Sequence, residues 1–246
     1  MEKGGLTMTD RKYRHELKYL ISAAQLPLLK SRIAAIMQPD PHAGADGIYN
    51  IRSLYFDDYY DTCYYENENG TDPREKFRIR IYNHSPQRIT LECKRKERGK
   101  THKTSCPLTR EQTEFLMQGK PIPETEVLYP LQRKLNLQIQ TRMLRPVVIV
   151  EYERIPYIYR NGNVRVTFDC NVSSSSEISG FLSGEVPKRP IMPAGQFLME
   201  VKFDEYLPDF IYRSLNLGRL QQTAYSKYYL CRKYALHKQE DNHDIF

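Results

Sequence analysis

Arg78-Ile79-Arg80-Ile81 puts two guanidinium groups on one face of a strand pattern and two isoleucines on the other, because side chains two apart on a strand point the same way. The alternation recurs in Glu16-Leu17-Lys18, Glu92-Cys93-Lys94-Arg95-Lys96, Arg165-Val166-Thr167-Phe168-Asp169 and Glu200-Val201-Lys202. Glu16, Glu92 and Glu200 each stand two residues before a lysine, so carboxylate and ammonium share a face. Either these faces all meet water, the usual fate of the polar side of a half-buried antiparallel sheet, or they meet one another around a charged ligand. A closed barrel with a charged lumen accounts for the recurrence. Such a lumen repels itself unless it holds polyanions, because like charges in low dielectric are costly. Phosphates satisfy it: arginine offers bidentate forks to their oxygens and lysine offers point charges. A few carboxylates can then hold a divalent ion across the phosphates, since Mg²⁺ and Mn²⁺ prefer oxygen ligands.

The elements that must position these faces are legible along the chain. Strands are expected over Tyr13 to Ile21, Ile48 to Phe56, Lys76 to Tyr82, Ile89 to Lys96, Lys100 to Leu108, Val147 to Tyr159, Val164 to Asp169 and Phe197 to Phe203. Ser22 reads as an N-cap, and Leu26, Leu29, Ile33 and Ile36 form a helical stripe ending before Pro39. A short helix is expected between Asp57 and Asn69, closed by the Asn69-Gly70 turn. Thr109 and Glu111 open another, Glu124 to Gln140 supplies the next, and two more begin near Pro208 and Ala224. Asn161-Gly162 is the strongest hairpin signal. Cys170 to Gly195, rich in Ser, Gly and Pro, reads as a long loop, a flexible lid or an insertion. The fold class is therefore α+β, an antiparallel β-barrel with helices packed outside. One domain is expected over 11–236, between a flexible N-terminus at 1–10 and a flexible tail at 237–246.

Composition agrees with this and narrows the partners. The chain has 246 residues, 40% hydrophobic and 27% charged, and a net charge of +7, which favours anionic partners. No apolar run is long enough for a membrane span, and Met1 to Asp10 lacks an apolar signal core, so a cytoplasmic protein is expected. The five cysteines have no metal or disulfide spacing and read as reduced thiols. The basic cluster from Lys94 to Lys100 is broken by Glu97 and lies on a strand pair, so nucleic acid is not the expected partner.

Arg14-His15-Glu16-Leu17-Lys18-Tyr19 resembles the first-strand ExExK motif of the triphosphate tunnel metalloenzyme (CYTH-like) superfamily. The resemblance is closer to its vacuolar transporter chaperone (VTC) branch, the polyphosphate polymerase domain. It covers roughly Tyr13 to Tyr234. Its markers include Ser53-Leu54-Tyr55-Phe56-Asp57, Phe77-Arg78-Ile79-Arg80-Ile81-Tyr82, Leu91-Glu92-Cys93-Lys94, Leu144-Arg145-Pro146-Val147-Val148, Leu198-Met199-Glu200-Val201-Lys202 and Ser226-Lys227-Tyr228. It implies a triphosphate tunnel fold whose basic walls bind ATP and a growing polyphosphate chain, with Mn²⁺ or Mg²⁺ as cofactor. Carried over by position, Arg78 and Arg80 resemble the paired phosphate clamp. Lys18, Lys94, Lys103 and Lys202 resemble phosphate-binding lysines of their strands. Tyr152 and Arg154 match a Tyr-x-Arg strand motif, Arg165 the hairpin arginine, and Ser226 and Lys227 the Ser-Lys pair of the last helix. Glu200 resembles the metal-binding glutamate, with Glu16 as a second candidate. Arg78, Arg80, Lys94, Arg154 and Glu200 form the implied catalytic set. Arg14 stands where ExExK has its first glutamate, which weakens the match to hydrolytic branches and fits the polymerase branch. No phosphate-sensing SPX domain or membrane segment is present, so the resemblance implies a free-standing, bacterial version. The competing functions are a tunnel triphosphatase and a non-catalytic polyphosphate- or nucleotide-binding module.

Overall fold

The computed structural model describes residues 13–240, so the expected flexible ends, 1–10 and the tail past Glu240, lie outside the described residues. Eight long strands form the frame: β1 (His15–Ser22), β2 (Tyr49–Asp57), β3 (Arg74–Tyr82), β4 (Ser85–Glu97), β5 (Lys100–Leu108), β6 (Arg145–Tyr159), β7 (Val164–Ser175) and β8 (Gln196–Phe203). They run antiparallel in the order β1-β8-β7-β6-β2-β3-β4-β5. The sheet curls until its edges meet, where Arg14 N–H donates to the Thr101 carbonyl at 2.9 Å and Thr101 N–H donates back at 3.1 Å. Six helices join the strands: α1 (Gln25–Ala34), α2 (Thr62–Glu68), α3 (Arg110–Met117), α4 (Pro130–Arg142), α5 (Asp209–Ser214) and α6 (Lys227–Glu240). The fold is α+β, an antiparallel barrel with helices outside.

Which face turns outward follows from apolar parity. Ile79, Ile81 and Leu91 are fully buried under Leu116, Leu131, Leu135 and Ile139 of α3 and α4. Burying each of these strand residues stabilises the fold by about 1.5–3 kcal/mol. Val166, Phe168, Met199 and Val201 likewise pack against Leu29 and Ile33 of α1 and Ile211 of α5. With the aliphatic parity committed to the helices, the charged parity of β1, β3, β4, β7 and β8 has only the lumen left.

Local signals set the helix ends. Thr109 Oγ accepts from Gln112 N–H at 3.1 Å and the Gln112 side chain accepts from Thr109 N–H at 3.2 Å, a capping box for α3. Ser22 and Gln25 make the same reciprocal exchange at the entry to α1. The helix expected from Glu124 starts only at Pro130. A proline forces the residue before it into extended backbone, and Tyr129 is extended, leaving Glu124–Glu126 as an isolated turn. Helix α5 keeps its expected start, whereas α6 begins at Lys227 and continues past His237 to Glu240.

The expected lid is packed structure instead. β7 runs on to Ser175 because Ile149, Val150 and Glu151 of β6 pair with Ser175, Ser174 and Ser173. Beyond it Phe181, Val186 and Ile191 are buried. Fully buried Arg52 fastens the segment: its guanidinium donates to the carbonyls of Phe181 at 3.2 Å and Gly184 at 2.9 Å, while Nε meets Glu151 at 2.6 Å.

Candidate functional site

The lumen holds a cavity of about 400 Å³, lined by ten lysine and arginine side chains and two glutamates, Glu16 and Glu200. Strand pairing builds it. Glu16 faces Lys202 and Lys18 faces Glu200 across β1 and β8, Arg154 faces Asp169 across β6 and β7, and Arg78 faces Glu92 across β3 and β4.

Glu200 meets four cations. It accepts from Lys202 at 2.8 Å, Lys227 at 2.9 Å and Arg154 at 3.3 Å, with Lys18 at 3.8 Å. Burial disfavours its charge, but Lys202, Lys227, Lys18 and Arg154 outweigh burial and hold its carboxyl well below the usual range. Arg154 grips Asp169 through both its arms, at 2.6 and 2.8 Å, and Lys227 adds a contact to Asp169 at 2.6 Å. Burial opposes the Lys227 charge, yet Asp169 and Glu200 raise its pKa above the ordinary lysine value. Lys18 lies between two carboxylates, 3.3 Å from Glu16 and 3.8 Å from Glu200.

A second cluster centres on Glu92. Arg78 donates to it from Nε at 2.7 Å and to the Tyr55 hydroxyl at 2.8 Å. Arg80 lies 3.8 Å away and is steadied by the hydroxyls of Ser53 at 3.1 Å and Tyr152 at 3.4 Å. Burial works against the Glu92 charge, but Arg78, Arg80 and Lys103 drive its pKa far down. The two arginines are therefore aimed in advance, which lowers the ordering cost of gripping an anion.

Helix α6 is anchored so that Lys227 can enter the lumen. Asp57 accepts Cys63 N–H at 2.8 Å and Tyr64 N–H at 3.1 Å at the start of α2, and it also accepts the Tyr228 hydroxyl. One buried carboxylate thus fastens both α2 and α6 to β2.

Most of the expected residues converge here. Glu16, Lys18, Arg78, Arg80, Lys94, Tyr152, Arg154, Glu200, Lys202, Ser226 and Lys227 all line the cavity. Lys94 reaches Glu16 at 2.7 Å. Ser226 also caps α6, its Oγ accepting from Tyr229 N–H at 3.3 Å. Two residues stand apart from the lining. Lys103 reaches Glu92 at 3.0 Å with its side chain 51% exposed, and Arg165 is drawn to Asp40 and to the Tyr49 hydroxyl, the latter at 3.0 Å. His15 stacks on Phe203 outside the lining, as its strand parity predicts.

Sequence reasoning left Asp169 as a capping or turn carboxylate, whereas it is the two-armed partner of Arg154. The same reasoning passed over Glu92 as the partner that aims the arginines, and over Lys76, Arg74 and Lys96. The signal for Lys76 was present, since it continues the two-residue spacing of Arg78 and Arg80.

The VTC domain family model matches residues 13–236, and the chain belongs to that family. No curated protein matches the sequence. Among solved structures, a Hippeastrum protein described as a proposed adenylyl cyclase with a dominant triphosphatase activity is similar at TM-score 0.53 and 11% identity. That match covers 90% of this chain and 95% of the other. A Bacillus halodurans protein, described as a proposed adenylate cyclase, is similar at TM-score 0.50 and 14% identity, covering 87% and 95%. At these identities the likeness is one of fold, the triphosphate tunnel.

Proposed function

We propose that this VTC-family chain moves the γ-phosphoryl group of ATP onto a polyphosphate chain inside its basic lumen, with a divalent metal ion. The observation that carries the reading is a cavity in the lumen lined by ten lysine and arginine side chains and two glutamates. Phosphoryl transfer asks little covalent work of a protein and a great deal of positioning and charge neutralisation. Arg78, Arg80 and Arg154 offer planar forks to the equatorial oxygens, and Lys18, Lys94, Lys202 and Lys227 add point charges along the walls.

The state of the carboxylates favours a phosphate acceptor over water. Glu16 and Glu200 are ion-paired, and in spite of burial the surrounding lysines hold both well below the usual range. Carboxylates so depressed are poor bases for activating water. A terminal phosphate is already an anionic nucleophile and needs no base.

The donor set suits a hard divalent ion. Two carboxylates meet at a shared lysine, and such ions commonly take one or two carboxylates and fill the remaining positions with phosphate oxygens and water. Glu200, with Glu16, would hold it, and the bound ion would supply neutralisation of phosphate charge. Among the described residues no larger group of carboxylates, histidines or cysteines gathers to bind metal.

The test is the product. With ATP and Mn²⁺ or Mg²⁺, a polyphosphate ladder on a gel supports the proposal, and orthophosphate alone supports a triphosphatase. Tight binding without turnover under either metal supports a binding module. Arg80→Ala and Glu200→Ala are expected to cut ladder formation about 10²–10³-fold, the size of losing one preorganised charge-stabilising group. Unchanged synthesis in either would overturn the site.

A further inference from the structure

One stretch of the lumen wall carries cations that the carboxylates leave uncompensated. Lys76 pairs across the ladder with Lys94, and Arg74 with Lys96; all four line the cavity. Lys94 is taken by Glu16. Lys76 has no ion-paired carboxylate among the described residues. Its Nζ donates to Asn67 Oδ1 at 2.7 Å and stands 4.6 Å from the centre of the Tyr228 ring. Arg74 donates to the Thr71 carbonyl at 2.6 Å.

The surroundings are built rather than incidental. Asn67 lies on α2 and Tyr228 on α6, the two helices that Asp57 fastens to β2. The charged and titratable groups facing Lys76 are mostly of its own sign: Arg74 on its strand, Lys94 on β4 and Lys18 on β1. From α2 come the Cys63 thiol, kept protonated chiefly by burial, and Glu66, whose carboxyl burial pushes up. A half-buried ammonium among cations, with a neutral amide as its hydrogen-bond partner, is disfavoured in the empty protein. It becomes favourable once an anion arrives.

We propose that Lys76, with Asn67, Arg74 and Lys96 around it, is a phosphate subsite for the stretch of a polyphosphate chain lying away from the metal-bound triphosphate. The subsite rests on the reading of the lumen as a phosphate tunnel. The division of labour follows from charge. The triphosphate and its divalent ion are drawn to the wall of Glu16 and Glu200, while a metal-poor stretch of chain is drawn to Arg74, Lys76 and Lys96, which have no ion-paired carboxylate among the described residues.

A proton follows the chain. Burial pushes the Lys76 ammonium down to about 7, and Arg74, Lys94 and Lys18 add to the fall. A bound phosphate returns the ammonium toward the ordinary lysine value of about 10.4. Chain binding therefore takes up a proton between those limits and weakens as pH rises through them. The same group acts on folding. The unfolded chain keeps this proton up to its ordinary value, so the folded state bears the full cost of the charge below about 7 and sheds it as pH rises. Removing the ammonium is thus expected to raise the melting temperature at neutral pH, whereas loss of an ordinary structural lysine lowers it.

The experiment titrates wild type, Lys76→Met and Lys76→Arg with inorganic triphosphate and with long-chain sodium polyphosphate. Calorimetry at about pH 8.5, inside the window, in two buffers of different ionisation enthalpy counts the protons. Wild type is expected to take up protons with the long chain. Lys76→Met is expected to take up fewer protons than wild type, to bind the long chain about tenfold more weakly, to lose less affinity for triphosphate and to melt higher. Lys76→Arg is expected to keep long-chain binding with the same reduced uptake. Unchanged long-chain affinity and proton uptake in Lys76→Met would overturn the subsite while leaving the tunnel reading standing, as would equal losses for both ligands. A wild type that binds neither ligand would overturn the tunnel reading and the subsite together.

Discussion

Two walls of one lumen solve the same electrostatic problem differently. On the wall of β1, β6, β7 and β8, the cations Lys18, Lys202, Arg154 and Lys227 contact Glu200, Asp169 or both. On the stretch where β3 begins and β4 ends, Arg74, Lys76 and Lys96 line the cavity with no ion-paired carboxylate among the described residues. The first wall is stable while empty and has its groups aimed in advance. The second is strained while empty and is relieved by an anion. The contrast teaches that a basic lumen need not be uniform: paired charges build the place where chemistry is done, and unpaired charges build the place where a chain is held.

The contrast breaks most severely at Asp169. Asp169→Ala strips a two-armed partner from Arg154 and a contact from Lys227, leaving buried cations uncompensated. The expected loss is about 3–5 kcal/mol, read by chemical denaturation. Lys76→Met deletes a charged lumen group on the other wall and is expected to stabilise. If both variants lost stability alike, the distinction between paired and unpaired walls would fail.

Next in size are the activity losses of Arg80→Ala and Glu200→Ala. Here the comparison sharpens, because the cations that carboxylates balance, Arg80 beside Glu92 among them, are expected to govern turnover and Lys76 to govern hold on the chain. A Lys76→Met defect in single-turnover transfer from ATP as large as that of Arg80→Ala would merge the two roles.

Acid supplies a smaller and graded test. Glu16, Glu92, Asp169 and Glu200 are all pulled below their usual values by neighbouring cations, against the opposing effect of burial. A carboxylate depressed in the folded state adds stability above its unfolded value of about 4, and that stability is lost as pH falls through the folded one. Stability from these carboxylates is therefore expected to stay level through neutral pH and to fall steeply only below about pH 4. The Lys76 contribution has the opposite placement, changing only above about 7. A melting-temperature profile against pH separates the two walls.

How much of this was legible from sequence depended on range. Strand parity is a local property, so Arg78 and Arg80 inward with Ile79 and Ile81 outward followed from four residues. The recurrence of that parity suggested the closed lumen before any contact was known. Partner choice is not local. Asp169 stands 15 positions from Arg154 and 58 from Lys227, and only the fold of β6, β7 and α6 makes it their counter-ion. The expected lid failed for the same reason. Ser- and Gly-rich composition reads as loop, and nothing near it in sequence reveals that Arg52, over a hundred residues earlier, binds its carbonyls. Arg165 kept its lumen parity, yet Asp40, far from it in sequence, draws its guanidinium aside.

The most direct test of the central claim follows phosphorus during turnover. In a ³¹P NMR time course with ATP and Mg²⁺, the account predicts ADP together with growing internal-phosphate resonances of a phosphoanhydride chain, both lost in Arg80→Ala. ADP with orthophosphate alone, and no internal-phosphate signal, would contradict it.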